Sequence, residues 1–242
     1  MQKEEFRRLA EDVANCHICK QMMTLPHIQN SECLVNDNHG LDTDRPYVNR
    51  WNLWQGDLNA DIMVIGQDYG TKEEDDELIV QTSDPTSKRL VELQTEAFEW
   101  DSLFQKPLFF TNMANFYRKH NTSGGMHPGW LPICANKFMS RLIRIIQPKI
   151  IIVLGRVAFE ALHCMEDLPV ICLDHAEKGK DSYAEMITHR YEIDLDDSKI
   201  AVFPVYHPGS NSRMNRSKVQ QRKDWNLIAD YYEKVKQDEH KI

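Results

Sequence analysis

The chain contains two apolar, β-branched runs that stop abruptly in polar, glycine-containing turns. They are Ile62-Met63-Val64-Ile65-Gly66-Gln67-Asp68-Tyr69-Gly70 and Val202-Phe203-Pro204-Val205-Tyr206-His207-Pro208-Gly209-Ser210. A strand buried on both faces reads as a continuous apolar run, and strands of this kind pair in parallel and present the residues that follow them along one sheet edge. Lys149-Ile150-Ile151-Ile152-Val153-Leu154-Gly155 is a third run of the same type, and Leu108 to Thr111 a shorter one that ends at Asn112. Helical periodicity separates them. A helix is expected over 86–98 after Asp84-Pro85-Thr86-Ser87, another from Leu131 to Gln147 closed by Pro148, a third over 156–165 and a last over 214–236.

Strands alternating with helices predict an α/β fold, a three-layer α/β/α sandwich around a mainly parallel sheet of about four strands. Residues 60–242 are expected to form that domain. Residues 1–59 read as an N-terminal helix over 2–23 and an irregular segment, anchored by Trp51 and Trp54 and packed with the domain as one unit. Tyr191 to Leu195 reads as an edge strand.

A chain of 242 residues has ample core for one large domain. No apolar run approaches the ~20 residues of a membrane helix. The charged start, Met1-Gln2-Lys3-Glu4-Glu5-Phe6, lacks the apolar centre of a signal peptide, so a cytoplasmic protein without a membrane partner is expected. Six cysteines in such a setting argue against a disulfide framework, and Cys164 and Cys172 read as core residues. The net charge of −8 disfavours nonspecific binding to nucleic acid, so any DNA contact must use a local basic patch. Arg213, Arg216, Lys218, Arg222 and Lys223 form one directly after the His207 turn, with no acid between 209 and 223.

Three polar residues end predicted strands. Asp68, flanked by Gly66 and Gly70, can orient a water or stabilise a growing positive charge, or it is a turn aspartate bonding its own backbone. His207 brings an imidazole to the same edge, or it is a surface-turn histidine; Gly209 and Ser210 beside it can offer N–H groups to phosphate. Asn112 carries both donor and acceptor and can read a base edge, or it merely terminates a strand. Cys16-His17-Ile18-Cys19 has the CxxC spacing of zinc and iron–sulfur sites.

The order strand-GQD, strand-FTN, PKIIIVLG and strand-HPG resembles the uracil-DNA glycosylase superfamily over roughly residues 60–232. The stretch from Leu142 to Leu162 is similar to the helix–strand–helix of its iron–sulfur-containing branch. The resemblance implies a glycosylase that hydrolyses the N-glycosidic bond of uracil, or of a related damaged base, in DNA during base excision repair. It implies catalytic roles for Asp68 and His207, substrate contacts from Gly66, Gln67 and Asn112, and DNA contacts from Ser210, Arg213 and Arg216. No catalytic cofactor is expected, and the protein is expected to act as a monomer.

The iron–sulfur branch also implies a structural 4Fe-4S cluster, or zinc in its place, on Cys16, Cys19 and Cys134 with Cys33 as the fourth ligand; His27 is the alternative. The branch's cysteine shortly after the uracil-reading asparagine is replaced here by Phe116 and Tyr117. Tyr69 stands where the GQDPY motif has proline, and the acidic run Glu73-Glu74-Asp75-Asp76-Glu77 follows. Two other readings remain open at this point: a non-catalytic nucleic-acid or nucleotide-binding member of the same fold, and an N-glycosidic hydrolase of free nucleosides, which suits the acidic surface.

Overall fold

The computed structural model describes residues 1–16, 18, 31–33, 46–51, 54–68, 85–103, 106–114, 116–118, 130–174, 182–196, 198–209 and 215–239. In chain order the elements are helix α1 (Gln2–Ala14), strands β1 (Ser31–Cys33), β2 (Tyr47–Trp51), β3 (Trp54–Asp57) and β4 (Ile62–Gly66), helix α2 (Pro85–Ala97), and strands β5 (Leu108–Asn112) and β6 (Phe116–Arg118). Then come α3 (Trp130–Cys134), a π-helical turn (Ala135–Met139), α4 (Ser140–Ile146), β7 (Ile150–Leu154), α5 (Arg156–Leu162), β8 (Val170–Cys172), α6 (Tyr183–Met186), β9 (Tyr191–Leu195), β10 (Ser198–Val205) and α7 (Lys218–Glu239).

The sheet has eight strands in the order β2-β3-β5-β4-β7-β10-β9-β8. Its centre, β5-β4-β7-β10, is parallel throughout and consists of the strands legible as apolar runs. Antiparallel pairs extend it on both flanks, which makes the sheet twice as wide as expected. The segment read as irregular therefore contributes β2 and β3 to the main sheet, with Trp54 buried. Tyr191–Leu195 is a strand but not the edge; β8 covers it, and Cys172, expected in the core, is exposed there. Cys164 is half-buried.

Side-chain alternation sorts the central strands onto two cores. Met63, Ile65, Ile151, Val153 and Val202 face one cluster, filled by Phe6 and Leu9 of α1, Phe138, Leu142 of α4 and Phe159 of α5. Ile62, Val64, Ile150, Ile152 and Leu154 face the other, filled by Leu90 and Leu93 of α2 and by Trp225, Ile228 and Tyr232 of α7. Helices thus cover both faces, the sandwich the patterning predicts.

Helix ends follow local chemistry. Asn15 returns its N–H to the Glu11 carbonyl at 2.9 Å and ends α1 at Ala14, short of residue 23; residues 19–23 lie outside the described residues. Ser217 caps α7 by accepting from the Gln220 N–H at 3.3 Å while Gln220 Oε1 accepts from the Ser217 N–H at 2.9 Å. That reciprocal pair sets the start of α7 at Lys218 rather than at 214.

At the amino edge of the sheet Asp61 ties three elements together. Its carbonyl accepts the N–H groups of Lys149 and Ile150 at 2.8 and 3.0 Å. Its carboxylate meets Lys149 Nζ at 2.9 Å and accepts the Tyr232 hydroxyl of α7 at 2.7 Å. Burial, and then the bond to Asp61, hold the Tyr232 phenol protonated well above the ordinary tyrosine range. Asp61→Ala is expected to destabilise the protein by about 1–3 kcal/mol, because it removes the acceptor of the buried Tyr232 hydroxyl and leaves the half-buried Lys149 ammonium with Glu239 alone. Urea unfolding checks the loss. Any activity measured on the folded variant should be unchanged, because this edge is opposite the strand ends described next.

Candidate active site

The strand order lays four chain ends side by side at the carboxyl edge. They are Asn112 after β5, Gly66-Gln67-Asp68 after β4, Gly155 after β7 and Tyr206-His207 after β10. Strands lie about 4.8 Å apart, so the β4 and β10 axes, separated only by β7, are about 10 Å apart. The chain leaving β4 continues to α2 on one face of the sheet, and the chain leaving β7 continues to α5 on the other. Neighbouring strands whose connections part to opposite faces leave a crevice at the carboxyl edge, the place where open α/β sheets bind ligands.

Gly66 and Asn112 are paired in register. The asparagine side chain lies across the glycine so closely that a Cβ at position 66 would sit 2.0 Å from Asn112 Oδ1. The chain beyond β5 is then zipped onto the first turn, with the Met113 N–H donating to the Gly66 carbonyl at 2.8 Å and the Ala114 N–H to the Gln67 carbonyl at 3.0 Å. Next to it, Gln67 Nε2 donates to Asp68 Oδ2 at 2.8 Å, both residues being half-buried.

His207 is set by its own turn. The Gly209 N–H donates to His207 Nδ1 at 3.1 Å, which makes Nδ1 the acceptor and places the ring proton on Nε2, as a neutral imidazole requires. A Cβ at position 209 would stand 2.9 Å from Nδ1, so the glycine permits the approach. Thr86, in the first turn of α2, lies beside the same glycine.

Behind the turn, the Val205 carbonyl accepts the Gly155 N–H and the Tyr183 hydroxyl, each at 2.8 Å. Tyr183 is buried, and burial raises its phenol far above the usual range, so it remains a donor. Its ring packs edge-on against Tyr206 at 5.1 Å. The Arg216 guanidinium stands 6.0 Å over the Tyr206 ring and pairs with both oxygens of Asp224. Tyr183 has no signal of its own in the sequence, but the capping box that positions it, Ser182 with Glu185, is readable there.

The residues expected at the site separate into groups. Gly66, Gln67, Asp68, Asn112 and His207 lie along one edge. Arg216, expected as a DNA contact, pairs with Asp224, and Arg222 of the same basic run pairs with Glu96 at 2.6 Å. Ser210, Arg213, Tyr69 and the acidic run 73–77 lie outside the described residues.

Of the cysteines, Cys16 is half-buried against, and Cys134 buried within, the same core cluster. Lys137 Nζ stands 4.0 Å from Cys16 Sγ. The β1–β6 pairing sets Cys33 opposite Phe116, in the segment that follows Asn112. Cys19 and His27 lie outside the described residues, and among the described residues no three His, Cys, Asp or Glu side chains are grouped for a metal.

The family model for the uracil DNA glycosylase superfamily matches residues 53–231, a span that contains every strand end of this edge. No curated protein matches the chain.

Proposed function

The chain belongs to the uracil DNA glycosylase superfamily, and on that premise we propose that it hydrolyses the N-glycosidic bond of uracil, or of a closely related damaged base, in DNA. The observation that supports this reading is the row of strand ends, with a carboxylate after β4, an asparagine amide closing β5 and a neutral Nε2–H imidazole after β10. A base inside a duplex cannot reach such an edge, so the nucleotide is flipped into it. The Asn112 amide then pairs with the polar edge of the base.

As the bond from the sugar C1′ to the base nitrogen lengthens, its electron pair leaves with the base and positive charge grows on the sugar. Asp68 stabilises that charge and orients the water whose oxygen bonds to C1′; the water's proton passes to the carboxylate. The His207 Nε2–H donates to the carbonyl oxygen on which the departing base accumulates negative charge, and this bond strengthens as charge develops. A neutral donor suits the task, since the base leaves as an anion without needing a proton from the ring. The reaction needs no catalytic cofactor, and the protein acts as a monomer in the cytoplasm.

The reading includes a structural metal on Cys16, Cys19, Cys33 and Cys134, as zinc or a 4Fe-4S cluster. Two observations support the fit: Cys16 packs against the core cluster that contains Cys134, and strand pairing sets Cys33 opposite Phe116, where this chain lacks the branch's cysteine. Thiolates from these positions would tie the N-terminal segment to α3. Anaerobically purified protein is expected to carry about one zinc ion per chain or to absorb visible light through sulfur-to-iron charge transfer. Stable, colourless, metal-free protein would remove this part of the proposal.

The function itself is tested by incubating the protein with uracil-containing and undamaged DNA, single- and double-stranded, and scoring abasic sites. Cleavage confined to the uracil substrates is expected. Binding without any abasic site would leave a nucleic-acid-binding module, and release of base from free nucleosides alone would make it a nucleoside hydrolase.

A further inference from the structure

We propose that Gln67 is a positioning residue that acts on the reaction through Asp68, joining the carboxylate to the base-reading strand. The inference rests on the glycosylase reading above and goes beyond it. Successive residues of a strand point to opposite faces and do not meet. Past the end of β4 the chain turns, and the Gln67 side chain comes round to donate from Nε2 to Asp68 Oδ2 at 2.8 Å. Only the NH₂ end of an amide can donate to a carboxylate, so the partner fixes the orientation of the Gln67 side chain.

Residue 67 acts in two directions, with its side chain and with its backbone. The carboxyl group of Asp68 loses free rotation, and a hydrogen bond to an ionised acceptor is among the stronger kinds, so the retained orientation is a firm one. The backbone of the same glutamine accepts the Ala114 N–H at 3.0 Å, two residues beyond Asn112. Residue 67 therefore touches the chain that carries the base-reading amide with its carbonyl and the carboxylate with its side chain. A base seated correctly against Asn112 and a carboxylate aimed correctly at the sugar become parts of one hydrogen-bonded unit. The resemblance assigns Gln67 to the substrate, whereas the geometry directs its amide nitrogen to Asp68.

The test is a double-mutant cycle on the full chain, read by single-turnover cleavage of uracil-containing DNA beside a binding titration. Gln67→Met keeps the length of the side chain and removes the donor; Gln67→Glu sets an acceptor against an acceptor. Thermal melts of every variant establish that each is folded. Gln67→Met is expected to slow cleavage about 10-fold at unchanged DNA affinity and unchanged preference among bases, and Gln67→Glu to slow it further. In an Asp68→Asn background Gln67→Met is expected to change the rate by less than about twofold, because residues acting as one unit are not additive.

Equal losses in the two backgrounds would overturn the inference, as would a full-rate Gln67→Met protein. A fall in affinity or a change of preferred base would also overturn it, since either would place the amide on the substrate. In each of these outcomes the unmodified protein still cleaves, so the glycosylase reading survives. If the unmodified protein cleaves no DNA, that reading falls and the inference falls with it.

Discussion

Asp68→Asn is expected to slow base excision by about 10²–10⁴-fold while leaving DNA binding nearly intact. The substitution keeps the shape of the side chain, and the new amide oxygen still accepts the bond that Gln67 Nε2 makes at 2.8 Å, so the turn after β4 is preserved. Only the charge and the proton acceptor are lost. In the proposed mechanism both matter in the transition state, where the sugar is cationic and the water gives up a proton, and neither matters to the ground state. The loss therefore falls on the chemical step.

His207→Ala is expected to fall in the same range for the complementary reason. Under the proposed mechanism its Nε2–H, fixed by the 3.1 Å bond from the Gly209 N–H to Nδ1, has an anion to stabilise only as the base departs. Single-turnover rates and binding titrations on the same uracil-containing DNA separate the two effects. An Asp68→Asn protein at full rate would remove the carboxylate from the chemistry, and the acidic run 73–77 would be the next place to look.

The features that were legible in the sequence share a physical cause. Strands β4 and β7 are buried along their whole length, and β10 from Ile200 onward except at half-buried Phe203, and that requirement writes itself as an apolar run. Their ends are equally plain, because an apolar run must stop where the chain meets water, and so Asp68, Asn112 and His207 could be placed on one edge from residue types alone. The flanking strands left no such trace. β3 and β8 are short, Gly56 and Asp57 interrupt the apolar pattern of β3, and Ile171 and Cys172 of β8 are exposed at the sheet margin.

The π-helical turn at Ala135–Met139 was hidden for another reason. It inserts into a stretch whose apolar spacing is helical on both sides, and a local widening barely disturbs that period. Arg216 shows the limit of reading charge. The basic run after His207 has the composition of a phosphate-binding patch, yet the start of α7 brings Asp224 back to Arg216 and Glu96 of α2 to Arg222. Composition counts charges, whereas the fold decides which of them are already paired. The same holds for Gln67, whose partner is its own neighbour once the strand has ended.

Gly66→Ala tests the most confined contact of the site. The added methyl would stand 2.0 Å from Asn112 Oδ1, far inside van der Waals contact, with β4 and β5 in parallel register on either side. Either the amide swings away from the strand end or the two central strands part. The first route is the cheaper, since Ile65 and Thr111 beside the pair are buried and their strands are held by the cores on both faces. Overpacking of this kind costs about 1–3 kcal/mol. The variant is therefore expected to unfold at lower urea and, if Asn112 reads the base as proposed, to lose about 10²-fold in cleavage rate because that amide is displaced.

Asn112→Ala in the same chain discriminates the cause. It removes the atom with which the methyl collides, so Gly66→Ala/Asn112→Ala should regain the lost stability. It also removes the base-reading amide, so the double variant should stay as slow as Asn112→Ala alone. Stability restored without activity is the signature of a glycine kept small to make room for a recognition group. A Gly66→Ala protein as stable and as fast as the original would mean that Asn112 does not lie across β4, and the base-reading role would have to move elsewhere along the edge.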